Sequence, residues 1–352
     1  MRKLLIVALL LNAGFLFAIW QQLSVVAEVG GGAGGSPCET DQTKYSLDTN
    51  DDGGVDLSDF VYGLQWFFQG TEAPRVCLAT DDLEARVAAL EAQHPVDLNP
   101  VITGFTFVET NAQGYPEYDH NATGIRFVRL PGGSFDMGSP VSETGHITRE
   151  GPVHTVSLSG FLIAKYEVTQ AEYEAVMTSP PPGLSATPSF ATGPNLPVER
   201  VSWDDLHLAD GFLERTGLSL PSEAQWEYAC RAGTPGPYAG TGNLDEMGWY
   251  GAGGGNSGDQ THDVGTKQAN QFGLHDLHGN VVEWCEDVFK SDFYSDEVPG
   301  FDPLSTSGST DRVVRGGFYL NGASSCRSAY RNFFDPGVRG SGLSFRPARP
   351  LP

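Results

Sequence analysis

An irregular α+β domain over residues 100–352, preceded by a small helical module, is what the sequence predicts. Three observations lead to that fold class. From residue 100 onward short apolar runs, such as Gly124-Ile-Arg-Phe-Val-Arg-Leu130 and Val153-His-Thr-Val-Ser-Leu158, alternate with loops rich in Gly, Pro, Asn and Ser. The 352 residues include 44 Gly and 23 Pro, a supply of turns that suits long loops around a modest strand core. Only three later segments carry helix signals. Thr169 is a ready N-cap with Glu172 three residues on, which predicts a helix to Met177. Val201-Ser-Trp-Asp-Asp205 opens a second helix running to Glu214, with Gly217 as its stop. Ser222-Glu-Ala-Gln-Trp-Glu-Tyr-Ala229 predicts a third.

Composition bounds the function. The chain is 39% hydrophobic and 18% charged, enough for a sizeable core and too apolar for wholesale disorder. A net charge of −23 repels phosphate backbones and anionic membrane surfaces, so no nucleic-acid partner is expected; divalent cations suit such a surface. Arg2 and Lys3 precede an apolar run from Leu4 to Trp20, and Val25-Val26-Ala27 offers small or apolar residues at the cleavage positions. Residues 1–27 therefore read as a secretory signal peptide or an uncleaved membrane anchor, and the rest of the chain as exported: extracellular, periplasmic or at the cell surface. Residues 28–37, with Gly30 to Gly35, are a Gly-rich linker. Export allows disulfides among Cys38, Cys77, Cys230, Cys285 and Cys326; the expected pairs are Cys38–Cys77 and Cys230–Cys326, with Cys285 buried and free.

Residues 38–78 form a calcium module by their spacing. In Asp48-Thr-Asn-Asp-Asp-Gly-Gly-Val-Asp-Leu-Ser-Asp59, the side chains of Asp48, Asn50, Asp52, Asp56 and Asp59 fall at loop positions that wrap hard oxygens around one point. Gly53 allows the sharp turn and Gly54 offers its carbonyl. Asp rather than Glu at the last position, followed by one helix with Phe60, Val61, Leu64, Phe67 and Phe68 on its apolar face, makes the segment resemble a single dockerin-type EF-hand loop. Residues 79–99 are a linker helix, with Leu83, Val87 and Leu90 at a spacing that also suits a short coiled coil.

The large domain carries an ordered set of motifs: Phe135-Asp-Met-Gly138, Glu150-Gly-Pro-Val-His154, Phe161-Leu-Ile-Ala-Lys-Tyr-Glu-Val-Thr169, Pro197-Val-Glu-Arg-Val-Ser-Trp203, Leu220-Pro-Ser-Glu-Ala-Gln-Trp-Glu-Tyr228, Phe272-Gly-Leu-His-Asp-Leu-His-Gly-Asn-Val-Val-Glu-Trp284, Arg315-Gly-Gly317 and Phe345-Arg346. Together they resemble the formylglycine-generating enzyme (sulfatase-modifying factor) family over residues 124–349. The resemblance implies a C-type-lectin-like fold low in regular structure. It implies a calcium site at Asp276, Gly279, Val281 and Glu283, with backbone carbonyls from Gly279 and Val281. The imidazoles of His275 and His278 beside it are read as bystanders rather than zinc ligands. A second family calcium site is expected to be lost, because Met247 stands where an Asn is expected, although Asn256 matches one ligand.

The family's oxidases hold copper(I) between two thiolates shortly after the Arg-Gly-Gly motif, since soft sulfur ligands select that ion. Here Asn321 and Cys326 fall at those positions when counted from the glycines, whereas counted back from Arg327-Ser-Ala-Tyr-Arg331 the segment is a few residues short and Cys326 matches neither; either way only one thiol is present and the copper pair is incomplete. Cys326 is the catalytic candidate only if the chain is active. The expected function is thus an exported, calcium-binding, lectin-like scaffold without oxidase activity; the alternative is an active oxidase converting a sulfatase cysteine to formylglycine. Phe318, Tyr319, Asn321, Tyr330, Phe333 and Phe334 lie among Gly, Ser and Arg, a composition typical of binding loops, and they are the expected surface for a protein, peptide or glycan ligand. Aromatics that complete the core are the competing reading.

Overall fold

Short strands whose buried residues lie on the packed face organise the domain. The computed structural model describes residues 100–295 and 300–351. The expected signal or anchor segment, linker, calcium module (with Cys38 and Cys77) and linker helix lie outside the described residues. Five strands form one antiparallel sheet: β1 (Phe105–Thr110), β2 (Pro116–His120), β3 (Arg126–Leu130), β6 (Phe161–Ala164) and β11 (Ala348–Pro350), in the order β1-β2-β3-β6-β11. The C-terminal strand thus closes against β6, with Ala348 opposite Ile163. A hairpin of β4 (Gly133–Met137) and β5 (His154–Leu158) stands apart as its own two-stranded sheet.

The second sheet holds the motifs of interest. Its order is β10-β7-β8-β9, from β7 (Val282–Val288), β8 (Arg312–Arg315), β9 (Arg331–Phe334) and β10 (Leu343–Ser344). β7–β8 and β8–β9 are antiparallel, and β10 joins β7 in parallel through two residues only. This mixture of small sheets, short helices and long loops is the irregular α+β class read from the sequence.

Helix α1 (Gln170–Val176) begins as expected: Thr169 and Glu172 form a reciprocal capping box. The second expected helix is instead two, α2 (Trp203–His207) and α3 (Phe212–Thr216). Ser202 and Asp205 cap the first, but Leu208 turns extended and Asp210 sits at φ 60°, so the chain bends before α3 begins. Gly217, at φ 67°, ends α3 where a side chain would be strained. Helix α4 (Glu223–Arg231) has its own capping box from Ser222 and Gln225, and a short α5 (Leu244–Met247) follows. Apolar side chains gather in two clusters, one around Phe127, Phe212, Trp284 and Phe345, the other around Trp226, Leu277, Cys285 and Val313.

Charged groups are also deep inside. Arg315, Arg327, Arg331 and Arg346 rank among the largest fully buried side chains. Each has its carboxylate: Glu227 and Glu223 for Arg315, Glu143 and Glu150 for Arg327, Glu223 for Arg331 and Glu283 for Arg346. Buried charge is tolerated only with such pairing.

Candidate functional site: the Arg-Gly-Gly segment and the loop before β7

β8 delivers Arg315 into the interior, where its guanidinium also donates to the carbonyls of Ser328, Ala329 and Tyr330. Gly317 follows at φ 71°, and a methyl group there would lie 2.6 Å from the Ser325 carbonyl and 2.8 Å from the Cys326 sulfur. Only glycine lets the returning segment pack so closely. That segment ends in a 3-10 turn at Ala323–Cys326. Cys326 is fully buried, and burial pushes its thiol up to about 12. It is therefore a thiol, not a thiolate, at neutral pH. Asn321, the other counted position, serves the turn: its Oδ1 accepts from the Phe318 amide at 3.2 Å and its carbonyl from Gly251 at 2.8 Å.

The expected Cys230–Cys326 bridge is absent; Cys230, Cys285 and Cys326 are all free and buried. The physical reason lies in what faces Cys230. Its sulfur is 3.6 Å from Ser328 Oγ and 3.7 Å from the His278 ring. The His278 ring touches both residues, with the Cys230 sulfur at 3.7 Å and its Nδ1 bonded to the Cys326 carbonyl at 2.8 Å, while its Nε2 accepts from the Ala239 amide at 3.0 Å. Burial lowers His278 to about 4, so it is a neutral, doubly satisfied ring. Cys285 lies on β7 in the second core.

The loop leading into β7 winds tightly, with positive φ at Asp276, Gly279 and Asn280. Asp276 is buried; its Oδ2 accepts from Gly265 at 2.6 Å, while Oδ1 has no hydrogen-bond partner. Burial pushes this carboxyl up to about 6. A second orphan oxygen belongs to Glu167, whose other oxygen accepts from Asn280 at 3.0 Å. Burial, then the Asp276 and Glu283 charges, push Glu167 well above the usual carboxylate range. Glu283 is differently placed. Arg346 grips both its oxygens at 2.8–3.2 Å, and Trp226 Nε1 donates to it at 2.7 Å. Among the described residues no cluster of three or more His, Cys, Asp and Glu side chains surrounds a common metal position. A hard cation at this loop would need backbone carbonyls beside the orphan carboxylate oxygens. Glu167 was missed from the sequence because it lies 113 residues before Asn280 and inside a motif that reads as a strand end.

The expected ligand surface is divided. Phe318 packs on the first core, and Phe333 stacks on Phe289 at 4.1 Å. Tyr330 has the Arg149 guanidinium 6.0 Å from its ring centroid. Tyr319 and Asn321 are half-buried, and Phe334 is exposed. The aromatics of this segment thus divide between buttressing the interior and facing solvent.

One buried acid off this path predicts a pH response. Asp287 accepts from Ser305 and Glu223 amides at 2.9 and 2.6 Å, yet burial, then the Glu223 charge, raise its carboxyl to about 7. Between about pH 4 and 7 the unfolded chain releases this proton while the fold retains it, so its contribution to stability is present at low pH and falls as pH rises. Asp287→Asn should flatten that decline, a difference on the order of 4 kcal/mol across the window. Denaturant midpoints of both proteins from pH 4 to pH 8 would check this, and parallel curves would refute it.

Small sheets carrying long, ion-paired loops around an Arg-Gly-Gly turn define a C-type-lectin-like domain. The chain belongs to the sulfatase-modifying factor enzyme 1-like domain family, whose sequence profile matches residues 113–351. It is 32% identical over 280 residues to a formylglycine-generating enzyme of Streptomyces coelicolor, covering 62% of this chain and 87% of that protein. Among solved structures it is similar to PvdO from Pseudomonas aeruginosa, with 29% identity and a TM-score of 0.58 over 71% of this chain and all of that one. It also resembles Treponema denticola variable protein 1, with 27% identity and a TM-score of 0.55 over 72% of this chain and all of that one.

Proposed function

We propose that this chain is an exported binding scaffold, stabilised by calcium, that uses a sulfatase-modifying-factor domain without its oxidase chemistry. The observation that carries the reading is the state of the one thiol after Arg315-Gly-Gly317. Cys326 is wholly buried and held protonated, and Asn321 at the companion position spends its side-chain oxygen on the local turn. A neutral amide is a poor partner for copper(I), and a buried thiol is a poor ligand for any approaching ion. Export rests on the apolar run after Arg2-Lys3 and on the Gly-rich linker. Calcium rests on the spacing from Asp48 to Asp59 and, in the large domain, on the orphan oxygens of Asp276 and Glu167. Asp276, Glu167 and the Gly279 and Val281 carbonyls would hold the ion there, while Glu283 remains with Arg346. The ion would supply the positive charge these buried carboxylates lack.

The test is a copper(I) titration of the full chain, together with incubation of the loaded protein with a sulfatase-type cysteine peptide under oxygen. The expected result is no tight stoichiometric binding and no aldehyde in the peptide. Tight binding abolished by Cys326→Ser, with conversion of the peptide cysteine, would overturn the scaffold reading in favour of an active oxidase.

A further inference from the structure

A cleft is lined by Tyr173 of α1, the loop from Gly183 to Pro188, Arg200, Asp205 and Arg339. Its volume is about 520 Å³, within the range of small-ligand sites. Two arginines and one aspartate line it, with buried Glu199 beside Arg200 as the second carboxylate. Asp205 and Arg339 satisfy each other through two hydrogen bonds of 2.7 and 2.5 Å, which leaves Arg339 Nη1 without a partner. Arg200 is freer. Its Nε donates to Ser341 Oγ at 3.2 Å and sits 4.0 Å from Glu199, and neither terminal nitrogen makes a hydrogen bond. The side chain is 42% exposed and that of Arg339 49%.

Arg200 is also held in place. It occupies φ 64°, a backbone region uncommon for a bulky residue. Its guanidinium lies 5.2 Å from the Phe190 ring centroid, and that ring is 73% exposed. Phe190 is itself fixed from below, because buried Glu199 accepts from the Phe190 and Ala191 amides. The result is an open arginine fork beside a solvent-facing aromatic plane at a cleft floored by Tyr173. Burial raises the Tyr173 hydroxyl to about 12, so it stays a neutral donor.

We propose that the Arg200 side of this cleft binds an acidic carbohydrate: a pyranose whose carboxylate or sulfate ester meets the Arg200 fork while its apolar face covers Phe190, which lies beside Arg200 just outside the cleft lining. A planar anion matches a guanidinium fork through paired hydrogen bonds. An exposed aromatic ring suits the C–H face of a sugar ring. The acidic remainder of the surface repels long polyanions, so short oligosaccharides are the preferred ligands. This inference rests on the binding-scaffold reading and names the ligand class for it.

Isothermal titration of the full chain with digalacturonate, a sulfated galactose disaccharide and neutral galactobiose tests it. Digalacturonate or the sulfated sugar should bind at least about tenfold more tightly than the neutral one, and whichever binds better identifies the anion. Added salt should weaken the interaction. Arg200→Gln should abolish about a factor of ten or more, Arg200→Lys should retain part of the affinity, and Phe190→Ala should weaken it severalfold. Thermal midpoints of these exposed-site variants should match the parent. Equal binding of the neutral sugar, unchanged affinity in Arg200→Gln, or failure of both acidic sugars to bind at millimolar concentration would overturn the inference. If those sugars fail while the copper titration shows no tight binding and the peptide is not converted, only the ligand class is wrong. If the peptide is converted, the scaffold reading falls instead.

Discussion

Arg346→Leu should lower the free energy of unfolding by on the order of 3–5 kcal/mol, a large share of what holds a domain together. Arg346 is wholly buried and makes five hydrogen bonds: three to Glu283, one to the Ala164 carbonyl and one to the His275 carbonyl. Its charge also acts on Glu167 and Asp276. Leucine fills much of the space but strands one carboxylate beside two others, all out of water. The double variant Arg346→Leu with Glu283→Leu should recover part of the loss, because the unpaired charge leaves with its partner. Denaturant unfolding of the parent, the two single variants and the double variant gives the coupling directly. A loss under about 1 kcal/mol in Arg346→Leu would show that the pair is not the keystone of this corner.

Ser328→Cys should raise stability by about 3 kcal/mol under oxidising conditions. Cys230 Sγ and Ser328 Oγ are 3.6 Å apart, and the residues are 98 apart in sequence. A loop of that length gives a cross-link worth roughly 4–5 kcal/mol in the chain-entropy picture. Against this stands the Ser328 hydroxyl's bond to the Pro237 carbonyl at 3.2 Å, worth about 1 kcal/mol. Thiol labelling before and after reduction, with thermal midpoints in both states, reads the outcome. The gain should vanish on reduction. Persistent labelling of Cys230 after oxidation would mean that the two positions cannot close.

The fold class was legible because alternation and turn residues report strands and loops locally. Two of the three helices were legible for the same reason: Thr169 with Glu172, and Ser222 with Gln225, encode their starts within four residues. The second helix was misjudged because its apolar pattern continues through a bend imposed by backbone conformations at Leu208 and Asp210, which composition does not reveal. At the site, the single thiol after Arg315-Gly-Gly317 could be counted from the sequence. Its partner could not. Cys230 faces Ser328 rather than Cys326, and only the three-dimensional path of the chain around His278 shows it. Glu167 and Arg346 escaped for a related reason: neither has a local spacing that marks it as a neighbour of Asp276.

The four buried arginines set the terms on which the C-terminal segment can evolve. Arg315, Arg327, Arg331 and Arg346 pin that stretch to the interior at four points, each through carboxylates supplied mostly by distant parts of the chain. The residues strung between those points, among them Leu320, Ser324, Phe334, Val338 and Arg339, face solvent. Such intervening side chains can be exchanged without loosening those attachments, so sequence change along this stretch costs the fold little.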